Sequence, residues 1–321
     1  MRADNKKFIV AMIMLAIVEL LRFFDRTLLF HSAPMGILQN YTFAKILLGI
    51  YMIVIMLLFA IMLTKTDMAY QKDMRYLIAF ISVFALPMFA NLNYFGTMDV
   101  VALIIGMIMI GIVCIEKYWI IMPVMSLAMG IICPMSLVTV AALIFALLFY
   151  EYIRTKKKQF IAYAIVNILL SLLGLAVSRK MGYFTTDSMY ALSLKKFLFV
   201  CLLMIPYAII AIKMMMAILN RAGKKSAYIC LFTAGLPAIL VYGLLADYSR
   251  VIFYGFIYYL FALAVLLIKQ DQIVLVVYEE IRERIRARLP FMGLVIAYPF
   301  IVMCFWVSGP LELFAETFVG L

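Results

Sequence analysis

The chain has 321 residues, 68% of them hydrophobic and only 14% charged, with a mean hydropathy of +1.14. Soluble domains are about half apolar and about a quarter charged, so most of these side chains have lipid as their solvent. That excludes a nucleic-acid binder, a secreted disulfide scaffold and a disordered tail, and it makes the formal charge of +12 a matter of Lys and Arg in cytoplasmic loops.

The reading is an all-α, polytopic transmembrane helix bundle, one transmembrane domain over residues 1–321. Lys6 and Lys7 precede an apolar run from Phe8 to Leu21, and Glu19-Leu20-Leu21-Arg22 offers no small-residue cleavage site. This predicts a retained first span and not a removed signal peptide. A hydrocarbon core about 30 Å thick takes about 20 apolar helical residues. Candidate spans follow at 8–24, 43–63, 76–92, 98–115, 159–178, 197–217, 226–246, 251–268 and 291–307.

Residues 119–150 form an apolar stretch of 32 residues interrupted by Pro123, Gly130 and Pro134. At 1.5 Å per residue, about 48 Å of helix is too long for one span and short for two full ones. A single crossing would put Arg154, Lys156, Lys157 and Lys158 outside, against the trend of the chain. The stretch therefore reads as two short helices or a re-entrant hairpin, about 11 membrane segments in all, N-in and C-out. On that count 20 Lys and Arg lie inside and 8 outside, while the acids show almost no bias, nine against seven. That is the pattern of the positive-inside rule. Between 273 and 289, Ile281, Ile285 and Leu289 recur four apart among arginines, the pattern of an interfacial amphipathic helix on the cytoplasmic surface.

Chemistry is sought where charges depart from this scheme. One outer cluster holds Glu19, Arg22, Asp25, Arg26 and His31, in which Asp25 and His31 are the groups able to act as a base near neutral pH. A second runs from Asn91 through Tyr94 to Asp99 at a predicted helix start, where capping alone also accounts for an acid. A third is the loop bounded by Arg179-Lys180 and Lys195-Lys196, four of the eight outer cations. They suit a phosphate carried by a lipid, or simple snorkelling to headgroups. The fourth is the turn Asp247-Tyr248-Ser249-Arg250 between two long apolar spans, where a charge next to lipid calls for a partner or a cavity. The five cysteines form no CxxC pair and His31 is the sole histidine, so no metal site and no cofactor is expected.

The Asp247-Tyr248-Ser249-Arg250 turn, followed by the aromatic-rich span 251–268, resembles an Asp-Tyr-Gly-Arg turn of multi-spanning proteins from bacterial surface-polysaccharide (capsule and exopolysaccharide) gene clusters, loosely similar to the GT-C glycosyltransferase and polysaccharide-polymerase class. Residues 91–158 look similar as well, with Ile132-Cys133-Pro134-Met135 standing where those proteins carry a His-Gln pair. The resemblance implies an enzyme of the outer face of a bacterial cytoplasmic membrane, using a polyprenyl-phosphate-linked donor. Asp25 is the position that matches the catalytic Asp of the first outer loop in GT-C enzymes, and Asp99 is the second candidate carboxylate. Arg250 with Arg179, Lys180, Lys195 and Lys196 would hold the phosphate, and Asp247 would orient Arg250. Tyr248 and Tyr94 would stack on sugar, with Arg22, Arg26 and His31 completing the substrate site. Partners on this reading are membrane lipids and a lipid-linked glycan, besides membrane-complex partners of unstated kind, and no nucleic acid. A transporter or flippase for an amphipathic substrate and a non-catalytic membrane scaffold are the alternatives.

Overall fold

The computed structural model describes residues 98–132, 134–181, 194–244 and 248–287. Among the described residues all regular structure is helical: α1 (Met98–Ile115), α2 (Ile121–Ile132), a 3-10 turn (Pro134–Leu137), α3 (Val140–Thr155), α4 (Lys158–Lys180), α5 (Leu194–Arg221), α6 (Lys225–Phe232), α7 (Leu236–Leu244), α8 (Tyr248–Ile268) and α9 (Gln272–Ala287). Helix is what an apolar solvent demands, because it satisfies backbone N–H and C=O groups within one segment. Among the described residues four stretches are long and apolar enough to cross a membrane: Met135–Thr155, Lys158–Lys180, Met204–Arg221 and Lys225–Leu244. Ile257–Ile268 and Gln272–Ile281, meeting at 116°, make a fifth if taken as one broken span.

The expected spans 98–115, 159–178, 197–217 and 251–268 each coincide with a helix. The expected 226–246 is divided at Thr233–Gly235 into α6 and α7. Gly235 sits so close to α8 that a Cβ there would lie 2.8 Å from the Tyr254 carbonyl oxygen. The expected spans 8–24, 43–63, 76–92 and 291–307 lie outside the described residues, and with them the count of eleven.

The stretch 119–150 breaks at Pro134, while Pro123 is accommodated in the first turn of α2. Pro134 has no N–H to offer the preceding turn, the chain passes through the 3-10 turn, and Thr139 Oγ1 donates to the Met135 carbonyl at 3.1 Å before α3 begins. Cross-contacts give the directions. Trp119 meets Phe160 edge-on at 4.9 Å, Ser126 bonds to Asn167, and Gly130 abuts Gly174. Both numbers rise together, so α2 runs parallel to α4. Asn167 Nδ2 meanwhile donates 3.0 Å to the Ala141 carbonyl, at the far end of α3 from the Lys156-Lys157 turn into α4. Therefore α3 is antiparallel to α4, and α2 and α3 form a hairpin whose two open ends lie together.

Helix α4 is inside-out by the standard of a soluble helix. Its inward stripe is Asn167, Ser171, Gly174 and Ser178, all buried, at the four- and three-residue steps of one helical face. Its outward side exposes Ile165, Leu169, Leu172 and Leu173. In water this helix would turn over. In lipid the large apolar side chains gain nothing by burial, whereas small residues let backbones approach and polar ones bond across the interface. The approach is tight: a Cβ on Gly174 would lie 2.7 Å from Gly130 Cα and 2.8 Å from the Leu127 carbonyl oxygen. On the other side of the bundle α7 and α8 pack antiparallel, with Tyr242 stacked on Tyr254 at 5.4 Å, and Tyr259 donates its hydroxyl to the Ala211 carbonyl of α5 at 2.9 Å.

Because the obstruction at Gly174 is backbone, it cannot be relieved by a rotamer change. Gly174→Leu should lower stability by about 1–3 kcal/mol, seen as a drop in the thermal midpoint of the detergent-solubilised protein. Leu172→Ala, on the outward side, should shift it little. Indistinguishable midpoints for Gly174→Leu and wild type would mean that the α2–α4 approach is looser than described.

Candidate functional site

Three turns meet at one end of the bundle: 116–120 between α1 and α2, 156–157 between α3 and α4, and 269–271 between α8 and α9. Glu151, on the last turn of α3, is buried with 1% of its side chain exposed. Arg154, one turn on, sends Nη2 to Glu151 Oε2 at 2.8 Å and Nε to the same oxygen at 3.1 Å. The same Nη2 reaches Glu116 Oε1 at 3.1 Å across the neighbouring turn. Lys269 arrives from the end of α8 with only 5% of its side chain exposed; it donates to Glu116 and lies 3.4 Å from Glu151 Oε1. Its Nζ also stands 5.9 Å from the centroid of the Trp119 ring, within cation–π reach. Two carboxylates and two cations thus balance, with Glu151 and Lys269 shielded from water and Glu116 and Arg154 open to it.

A second set of contacts continues from it. Asp271 caps α9, its Oδ1 accepting from the backbone N–H groups of Ile273 at 3.1 Å and Val274 at 3.2 Å. An aspartate at this position satisfies two of the otherwise unpaired N–H groups of a helix start. Its other oxygen accepts from the Tyr228 hydroxyl at 2.6 Å, so one carboxylate fastens α6 to α9. Farther along α9, Glu280 is bidentate with Arg221 at the end of α5, at 2.8 and 3.1 Å.

The cost is visible in the backbone. Glu116, Tyr118, Lys156 and Gln270, at φ of 57°, 63°, 59° and 49°, are the non-glycine residues with positive φ among the described residues. All four stand in the three turns that carry the network. A left-handed residue with a side chain costs roughly 1–2 kcal/mol, and such strain persists only where the surroundings hold it. The hydrogen bond from Lys269 is the main cause that holds the Glu116 carboxyl below its ordinary value of 4.5; partial burial opposes it, and the charges of Lys269 and Arg154 reinforce it.

Several residues singled out from the sequence, Arg22, Asp25, Arg26, His31, Tyr94 and Asp247, lie outside the described residues. Asp99 stands in the first turn of α1, Lys195 and Lys196 in that of α5, and Tyr248 and Arg250 in that of α8. Arg179 and Lys180 close α4, both exposed. Since α1, α5 and α8 finish at the ion-pair end and α4 starts there, all of these stand at the opposite end of the bundle. They share that end. Glu116, Glu151, Lys269 and Asp271, by contrast, are not among the residues singled out from the sequence. The available signal was Glu151 one turn inside Arg154 at the end of an uncharged run. Among the described residues no group of His, Cys, Asp or Glu is placed to hold a metal ion. Compared with known protein families, curated proteins and solved structures, the chain matches none.

Removing one partner of a buried ion pair strands the other. Lys269→Met should cost about 3–5 kcal/mol, and the double variant Lys269→Met/Glu151→Leu should recover part of that. Thermal unfolding reads both, and a Lys269→Met protein as stable as wild type would strip the network of its structural role. Glu116 gives a pH test with a defined sign. Its folded value is lowered, so its contribution is complete above the unfolded value and is lost as pH falls through the folded one. Glu116→Gln should therefore flatten the loss of stability below about pH 4.5, and an unchanged acid slope would count against this assignment.

Proposed function

We propose that this is a multi-pass protein of a bacterial cytoplasmic membrane that acts in cell-surface polysaccharide biosynthesis, engaging a polyprenyl-phosphate-linked sugar at the outer face. One observation carries the reading: Asp99, the Arg179-Lys180 pair, the Lys195-Lys196 pair and the Tyr248–Arg250 turn start or end helices at the same end of the bundle. The opposite end, with Lys117, Lys156, Lys157, Lys158, Lys224 and Lys225, has the excess of cations that orients a loop toward the cytoplasm. A group of cations left on the outer side asks for a different reason, and a lipid-borne phosphate supplies one.

On this reading Arg250 and the two basic pairs hold the phosphate and stabilise charge on the leaving group. Asp25 takes the proton of the acceptor hydroxyl, with Asp99 as the second carboxylate, in a transfer of GT-C type. Tyr248 and Tyr94 stack on sugar. Transport of an amphipathic substrate finds less support. Among the described residues the buried polar line of Ser126, Asn167 and Ser171 runs into the contact between Gly130 and Gly174, which leaves no room for a solute.

Native mass spectrometry of protein gently extracted from its host membrane tests the proposal. Wild type should retain a polyprenyl-phosphate or pyrophosphate lipid, while Arg250→Ala and Arg179→Ala/Lys180→Ala should lose most of it. Bulk phospholipid alone, held equally by all three, would overturn the phosphate site and favour a scaffold.

A further inference from the structure

At the ion-pair end, two turns bring four lysines into one corner. Lys117 lies in the turn before α2, Lys156 and Lys157 in the turn before α4, and Lys158 opens α4; all four are exposed. The turns are held side by side by Arg154 on Glu116 at 3.1 Å and by Trp119 on Phe160 at 4.9 Å. The nearest carboxylates are already engaged, because Glu116 and Glu151 are taken up by Arg154 and Lys269. Among the described residues no acid pairs with Lys117, Lys157 or Lys158. Lys156 instead places its Nζ 5.7 Å from the centroid of the Tyr152 ring. The dipole of α4 adds to the same sign, since its first turn holds no acid and a helix start is a positive pole.

Apolar side chains adjoin these charges directly. Tyr118 is 65% exposed, and Ile120, Ile121 and Val124 are exposed along the start of α2. The outward side of α4 continues with Ile161 and Ile165. Uncompensated ammonium groups at the head of an apolar wall, with a tyrosine between, match a molecule that is anionic at one end and hydrocarbon at the other.

We propose that this corner is a binding site for anionic phospholipid headgroups, held by Lys117, Lys157 and Lys158 with the acyl chains against the apolar starts of α2 and α4. The site rests on the reading that the chain spans a membrane, and it is independent of the phosphate site at the other end. A lysine in contact with the headgroup contributes about a fivefold gain in affinity, so removing the three of the site should be felt strongly, whereas cations outside it should matter little.

The full-length protein in mild detergent is titrated with dioctanoyl phosphatidylglycerol and, separately, dioctanoyl phosphatidylcholine, with bound lipid counted by native mass spectrometry. Wild type should prefer the anionic lipid, and Lys117→Gln/Lys157→Gln/Lys158→Gln should lose that preference by at least about tenfold. Lys224→Gln/Lys225→Gln, exposed cations of the same end, should lose no more than about twofold. Equal binding of the two lipids by wild type, or an equal loss in both variants, would overturn the site. Reconstitution into phosphatidylglycerol vesicles separates this failure from that of the membrane reading: a protein that does not enter the bilayer defeats both, and one that enters without lipid preference defeats only the site.

Discussion

The carboxylate of Glu151 is the point on which the described bundle turns. A charge taken out of water costs several kcal/mol unless partners return the lost solvation, and here they come from two directions along the chain. Arg154 is local, one turn on in the same helix, but Lys269 comes from the end of α8. Glu151 can therefore be buried only when α3 and α8 stand at one height and the turn of Glu116 closes over them. The left-handed residues in those turns are the backbone's share of that closure. Backbone hydrogen bonds from Glu116 to Ile112, Lys156 to Tyr152 and Gln270 to Leu267 close the turns one by one, and the ion pairs hold the turns to each other.

Lipid as solvent explains the rest of the packing. A helix that hides Asn167, Ser171 and Ser178 and displays Ile165, Leu169 and Leu172 inverts the arrangement expected in water, where burial of apolar surface drives association. Asn167 shows what replaces that force. Its amide donates to the Ala141 carbonyl and its oxygen accepts from Ser126, so one side chain joins α2, α3 and α4. With Gly130 and Gly174 setting the backbone distance, the three helices are held by contact and hydrogen bonding.

Much of the fold was legible because length and charge speak directly about spans. The limits of α1 and α8, and the break near Pro134, follow from apolar runs and from proline's missing N–H. The split between α6 and α7 was not legible, since it answers to the approach of Gly235 to the Tyr254 carbonyl, a contact between distant parts of the chain. The ion-pair network was hidden for the same reason. Glu116 and Lys269 each look like ordinary loop charges, and only the packing of α1 against α8 places them together. Of the outer residues named for chemistry, the helix ends bearing Arg179, Lys195 and Arg250 come to one end by chain direction alone. Asp25, His31 and Asp247 lie outside the described residues.

The length of α2 has a consequence for the order in which the protein is made. Its 12 residues rise about 18 Å, well short of the hydrocarbon thickness, and it carries Ser126 and Gly130 on the side that α4 will cover. The ribosome, however, completes α2 before α4 begins, since Lys158 follows Ile132 by the length of α3 and its flanking turns. During that interval Ser126 has no Asn167 to bond to and the short helix has no wall to lean on. The hairpin of α2 and α3 is therefore a segment that waits, and α4 is the element whose arrival settles it in place.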